Sequence, residues 1–425
     1  MSGSSPSPIW HPFTQHALQL EMIEVARAEG AWLETPDGRR ILDAISSWWV
    51  VTHGHCQPRI AAAVAEQAAR LDQVIFAGFT HAPAEQLARA LVAMMPEGLS
   101  RVFYSDSGST AVEVALKMAL GYWRNTGVAR HRILALEHGY HGDTIGAMSV
   151  GARGVFNAPY EPLLFDVGRI PFPATGHEQD ALDVLDSVCA EGDVAAFIVE
   201  PLVLGAGGML IYSAEVLAEM REICARHDVL FIADEVMTGW GRTGTLLACD
   251  QADVVPDILC LAKGITGGAL PLAATLCSER IFEAHLSPDR SKTFFHSSSY
   301  TANPLACAAA VANIEVWRHE PVVQRIAALA GSQAAQLQRF RSDPRFAGVR
   351  QLGTIAALDL NDGGDGYLAA AGPKLYRAFM DRGVLLRPLG NTIYVMPPYC
   401  ITEADLGLVY DAIDAAADAA GGGAP

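Results

Sequence analysis

Short apolar runs, each stopped by turn residues and followed by a helical pattern, restrict the fold of this chain more than any other feature. Ile133–Leu136, Ala195–Val199, Val229–Ala233, Ile258–Leu261 and Leu272–Cys277 are apolar nearly throughout. Strands of that kind are covered on both faces. With helical stretches such as Ala214–Arg226 between them, they imply an α/β fold with a large, mostly parallel sheet flanked by helices.

Upstream, Ala31–Asp43 reads as a hairpin turning at Pro36-Asp-Gly38. Helices are expected at about 58–71 and 83–95, each opening with proline, then a strand over Arg101–Ser105 and a long amphipathic helix over Ser109–Asn125. The texture changes after about residue 303. Helical patterns over Asn303–His319 and Pro321–Arg341 lead into strands around 349–360, 384–387 and 393–396. The expected division is a large domain over 56–310 and a small α+β domain over 311–425, which the N-terminal segment 1–55 joins.

Composition narrows the function. With a net charge of −17, the 425-residue chain is not expected to bind nucleic acid or an anionic membrane as its main partner. Its eight cysteines form no CxxC and no metal-ligand spacing, so buried thiols in a reducing compartment and no bound metal are expected. Met1–Pro8 lacks the basic and apolar regions of a secretory signal. The longest apolar stretch, Ala195–Tyr212, is interrupted by Glu200, Pro201 and glycines, which reads as strand and loop rather than a membrane span. A soluble, cytoplasmic protein is the expectation.

Five segments carry residues suited to chemistry. Tyr104-Ser-Asp-Ser-Gly-Ser-Thr110 leaves a strand and enters a helix, either as an ordinary N-cap or as an anion site on free N–H groups. Asp234 and Glu235 close the strand Val229–Ala233, where α/β sheets bind ligands. Adjacent strand residues face opposite ways, so one acid is expected in the site. Lys263 ends the apolar run Asp257–Leu261 and precedes Gly264 and a Thr-Gly-Gly turn; desolvation there lowers an ammonium pKa and favours Schiff-base chemistry. The Gly139-Tyr-His-Gly-Asp143 turn and Ser46-Ser-Trp-Trp49 place aromatics on loops. If extended, Trp48 and Trp49 alternate faces, one in the core and one beside a pocket.

Taken in this order, with Gly-Arg-Thr-Gly at 241–244 and Asn-Pro-Leu-Ala at 303–306, these motifs resemble the class III aminotransferases across about residues 9–410. The resemblance implies the pyridoxal-phosphate-dependent transferase fold type I and pyridoxal 5'-phosphate as cofactor. Lys263 would then bond the cofactor and shuttle the substrate proton, Asp234 would face the pyridine nitrogen, and Tyr140 would stack on the ring. Gly108 and Ser109 would take the phosphate. In His296-Ser-Ser-Ser-Tyr300, Ser298 and Ser299 would approach that phosphate, Ser299 across the interface of a homodimer, and Ser297 would lie toward substrate.

Ile9-Trp-His-Pro-Phe-Thr14, the Trp48–Trp49 pair, Gly139–Thr144 and Arg387-Pro388 are similar to the biotin-synthesis branch of that family. Its members move an amino group from S-adenosylmethionine to 7-keto-8-aminopelargonate in a ping-pong cycle. By that likeness Arg387 would clamp the keto acid's carboxylate, Trp48 and Trp49 would wall its methylene chain, and Asp143 would meet a cationic donor. Phe13 stands where tyrosine is often found, Ser297-Ser-Ser299 where Gly-Pro-Thr is common, and Leu204 in place of glutamine. The amino donor therefore stays open among S-adenosylmethionine, lysine and another ω-amine.

Overall fold

The computed structural model describes residues 7–18, 22–361, 367–369 and 371–421. The first six residues and 422–425, which belong to the expected N-terminal and C-terminal segments, lie outside them.

The hairpin expected near the N-terminus forms from β2 (Trp32–Glu34) and β3 (Arg40–Asp43), with β1 (Arg27–Glu29) beside β2. The large sheet uses β4 (Leu99–Ser105), β5 (Arg132–Leu136), β6 (Gly168–Ile170) and β7 (Val194–Val199). After a small hairpin of β8 (Val203–Leu204) and β9 (Leu210–Ile211), β10 (Leu230–Asp234), β11 (Ile258–Leu261) and β12 (Ala273–Ser278) complete it. Its order is β4-β12-β11-β10-β7-β5-β6. Every pair from β11 to β6 is parallel; β12 alone is reversed, antiparallel to both β11 and β4.

A three-stranded antiparallel sheet follows from β13 (Phe346–Leu352), β14 (Ile355–Leu360) and β16 (Thr392–Val395). Between them in sequence, β15 (Val384–Leu385) pairs with β3, so one four-stranded sheet joins the two ends of the chain. Among the described residues no helix is long and apolar enough to cross a membrane.

This topology decides where polar groups gather. Because β12 is reversed twice over, β4 runs the same way as β5, β7, β10 and β11. The loops leaving all five strands meet at one edge of the sheet, the place where parallel sheets bind ligands. The strands themselves are fully buried at β7, β10 and β11, so the first polar residues after them carry the edge's chemistry.

The Ser46–Trp49 segment departs from the extended reading. It is a kinked helical turn with non-helical dihedrals at Ser47 and Trp48, and φ is positive at Ser46, Ser47 and Trp49. Buried Asp43 holds it: Oδ1 accepts from the Ile45 and Ser47 N–H groups at 3.2 and 2.8 Å, and Oδ2 from Ser47 Oγ at 2.9 Å. The outcome still separates the two tryptophans. Trp48 is 44% exposed and Trp49 6%.

Candidate active site

The sheet edge opens into a cavity of about 460 Å³. Lys263, Asp234, Tyr140, Gly108, Ser109, Trp48, Trp49, Phe13 and Arg387 all line it. Asp143 and Ser297–Ser299 do not. Ser298 Oγ instead donates to Asp106 Oδ2 of the same chain at 3.1 Å, and the Ser299 carbonyl accepts from Gln73 Nε2 at 2.6 Å.

Beyond β4, Ser107 caps the helix Gly108–Thr126 by accepting from the Thr110 N–H at 3.2 Å. The Ala111 N–H bonds the Ser107 carbonyl. The amides of Gly108 and Ser109 are left as free N-terminal donors among the described residues, a positive helix end facing the cavity. A Cβ at position 108 would lie 2.6 Å from Val236 Cγ1, so glycine there lets the helix start pack against Val236 without displacing it.

At the end of β10 the two acids part as strand geometry demands. Asp234 faces the cavity, where Oδ2 meets His141 Nδ1 at 2.7 Å and Oδ1 accepts from the Val236 N–H at 3.1 Å. Glu235 points away, accepting from Thr238 Oγ1 at 2.5 Å and the Cys249 N–H at 2.8 Å; burial pushes its pKa up to about 7. Glu200, the first residue after β7, takes the Tyr140 N–H at 2.9 Å and the Gly205 N–H at 3.0 Å. Burial lifts it likewise to about 7.

Lys263 follows β11 in a left-handed conformation, φ 46°. Its Nζ lies 4.7 Å from the Trp49 ring centroid. Burial lowers its pKa to about 8, against the opposing pull of Asp234 and Glu200. A tenth or so of this amine is therefore neutral at pH 7, hundreds of times the fraction for an ordinary lysine. Trp49 is fixed by its Nε1 donating to Tyr394 OH at 2.9 Å. Its carbonyl accepts from Arg242 Nη2 at 3.2 Å; Arg242, from the Gly-Arg-Thr-Gly motif, is buried and also bonds the Val51 and Pro397 carbonyls.

The outer part is aromatic. Phe13 packs on Trp48 with centroids 5.6 Å apart and on Phe156 at 5.9 Å. The Arg387 guanidinium sits 5.3 Å over the Trp48 ring and donates to the Phe13 carbonyl at 2.9 Å. Tyr140 is partly buried, and burial, with Asp143 beside it, pushes its phenol well above the ordinary range.

Sequence reasoning assigned no part to His141, Glu200, Phe156 or Tyr394. Two of them left a trace: His141 sits inside the Gly139–Asp143 turn, and Glu200 is an acid inside an otherwise apolar run.

The family described as aminotransferase class-III matches residues 14–417. The chain is 48% identical to an adenosylmethionine-8-amino-7-oxononanoate aminotransferase of Synechococcus elongatus, over 95% of this chain and 97% of that one. It is 38% identical to the protein of the same name from Geobacter sulfurreducens, over 96% and 94%. Among solved structures, the adenosylmethionine-8-amino-7-oxononanoate aminotransferase of Methanocaldococcus jannaschii superposes with a TM-score of 0.93 at 34% identity, covering 97% of each chain. An amine transaminase from an uncultivated Pseudomonas species, solved in its PLP-bound form, superposes at 0.92 with 35% identity over 98% and 99%.

Lys263 is one of only four lysines, with Lys117, Lys292 and Lys374. Only the neutral amine is acylated, so a lowered pKa brings reactivity on at lower pH. In cofactor-free protein, labelling at Lys263 should be half-maximal near pH 8, well below the reference value for a free lysine near 10.4. Peptide mass spectrometry after brief acylation reads this directly; a Lys263 midpoint near the free-lysine value would contradict the desolvation argument.

Proposed function

The chain belongs to the class-III aminotransferases, which work with pyridoxal 5'-phosphate, and we propose that within them it moves the amino group of S-adenosylmethionine to 7-keto-8-aminopelargonate, giving the 7,8-diaminopelargonate of biotin synthesis. One observation carries this reading beyond the family. The cavity that holds Lys263 at its inner end carries Arg387, laid over Trp48, in its aromatic outer wall. That arrangement suits a long apolar chain ending in a carboxylate, and the Trp48 and Phe13 faces suit a sulfonium cation. The names borne by the relatives from Synechococcus and Geobacter agree with it.

The residues fit the cofactor. Two free helix amides at Gly108 and Ser109 open onto the cavity, and the buried Asp234 carboxylate and Lys263 amine line it as well. When bound, pyridoxal 5'-phosphate supplies an aldehyde for amines and a ring that withdraws electrons from the substrate's α-carbon. Gly108 and Ser109 would donate to the phosphate. Asp234, oriented by His141, would hold the proton on the ring nitrogen, and Tyr140 would cover the ring. Lys263 Nζ, neutral in useful amount at physiological pH, would first bond the aldehyde and later carry the α-proton. Arg387 would hold the keto acid's carboxylate against the walls of Trp48, Trp49 and Phe13. Because one cavity serves both substrates, they would use it in turn.

A homodimer belongs to the same proposal. Ser297–Ser299 do not reach their own cavity, yet neighbouring Phe295 and Tyr300 are 70% and 63% exposed, as are Ile75 and Phe79 at 65% and 61%. We assign this apolar face to a second copy, whose phosphate site Ser298 and Ser299 would complete and whose substrate Ser297 would approach. The expected division, with 1–55 and 311–425 assigned to a small domain and 56–310 to a large one, is part of the same proposal, and the pairing of β3 with β15 supports it. A cytoplasmic setting accords with eight unpaired cysteines.

Donor identity is tested by mixing loaded protein separately with S-adenosylmethionine, lysine and 1-phenylethylamine, and following the cofactor's visible absorption. S-adenosylmethionine should bleach it; bleaching by the simple amine alone would favour the amine-transaminase reading that the Pseudomonas structure raises. The band itself should be missing from Lys263→Ala. For the dimer, mixing inactive Lys263→Ala and weakly active Ser299→Ala subunits should raise the activity per wild-type lysine, because some wild-type-lysine sites then receive Ser299 from the other chain. No gain after subunit exchange would remove Ser299 from the partner's site.

A further inference from the structure

Arg350 lies in β13, outside the cavity, yet its guanidinium spends every N–H on a defined acceptor. Nε donates to the Met209 carbonyl at 2.9 Å and Nη2 to the Gly208 carbonyl at 2.6 Å. Nη1 and Nη2 also make a bidentate pair with Asp359 of β14, at 2.7 and 2.9 Å, and Nη1 reaches the Gly348 carbonyl. Thr392 Oγ1 of β16 fixes Asp359 Oδ1 from the other side at 2.7 Å. A planar fork of five donors fully used in this way is a geometric device, since lysine offers three donors on one point.

The acceptors at the far end belong to the tip of the β8–β9 hairpin. That tip needs holding, because φ is +109° at Gly208 and +51° at Met209. Its other residues touch the active site. Ala206 lines the cavity. Gly205 packs so closely on Trp49 that a Cβ would come within 3.2 Å of the ring and 2.9 Å of Met237 Cε. The Gly205 N–H is tied to Glu200, whose other oxygen holds the Tyr140 amide.

We propose that Arg350 is a positioning residue for the reaction. It pins the 205–209 tip to the β13–β14–β16 sheet and thereby sets Ala206 and Trp49 as a rigid wall of the substrate cavity. The inference rests on the cavity being the substrate site, but not on which amine it takes.

The test uses loaded protein with Arg350→Lys, and Asp359→Asn as a second variant that keeps the arginine but weakens its anchor. Hydrogen exchange should quicken about tenfold or more at 205–209 and at Trp48–Trp49, with β7 and β10 unchanged. In the amine half-reaction, the concentration for half-maximal rate should rise about tenfold while the saturating rate moves much less. Both variants should interact non-additively with Trp49→Phe, although Arg350 makes no contact with that ring. Unchanged exchange at the tip, or strict additivity with Trp49→Phe, overturns the proposal. Running the half-reaction with both S-adenosylmethionine and 1-phenylethylamine separates the two readings: silence with the first alone removes the donor assignment and leaves the Arg350 result to be read with the second.

Discussion

A carboxylate at the end of a strand with no solvent on either face must find a partner inside the protein, and much of this molecule is arranged around that requirement. Asp234 meets it with His141, and Glu235, one residue on, meets it on the opposite face with Thr238 and the Cys249 amide. Burial without pairing would cost several kcal/mol per charge. The same burial that demands partners also shifts the amine at the end of the next strand toward neutrality. A carboxylate paired with His141 and a neutralisable amine thus stand at adjacent strand ends because the sheet between them is dry.

Backbone strain collects beside them. Lys263, Ser46, Ser47 and Trp49 all hold positive φ without being glycine, at a cost of about 1–3 kcal/mol each. The turn at Ser46–Trp49 persists because Asp43 accepts from both donors of Ser47 and from the Ile45 N–H just before it, and Arg242 binds the carbonyls of Trp49 and Val51. What this holds in place is the Trp49 ring against Lys263 Nζ, with Trp48 turned out beneath Arg387. Strain supported from several directions is a means of presetting a site, and here the supports are Asp43 beside the turn, Arg242 in the middle of the chain and Tyr394 near its end.

The sheet was legible because burial on both faces leaves a run such as Ile258–Leu261 unbroken, and Lys263 was legible because a lysine directly after such a run is anomalous. The hairpin at Pro36-Asp-Gly38 was readable from turn chemistry. The conformation of Ser46–Trp49 was not, since it is dictated by Asp43 and by β16, hundreds of residues away. His141 and Glu200 escaped for a similar reason: Asp234 and the Tyr140 amide, their partners, lie across the sheet edge, and no local pattern encodes such a meeting. The reversal of β12 was equally hidden, because an antiparallel strand buried on both faces has the same apolar texture as a parallel one.

Whether this cavity passes nitrogen from S-adenosylmethionine to the keto acid is open to a direct test. Supplying S-adenosylmethionine labelled with ¹⁵N at its amino group, together with 7-keto-8-aminopelargonate, tests it most directly by mass spectrometry of the products. The label should appear in 7,8-diaminopelargonate at the newly aminated carbon. Label that remains wholly in the donor while the keto acid is unchanged would contradict it.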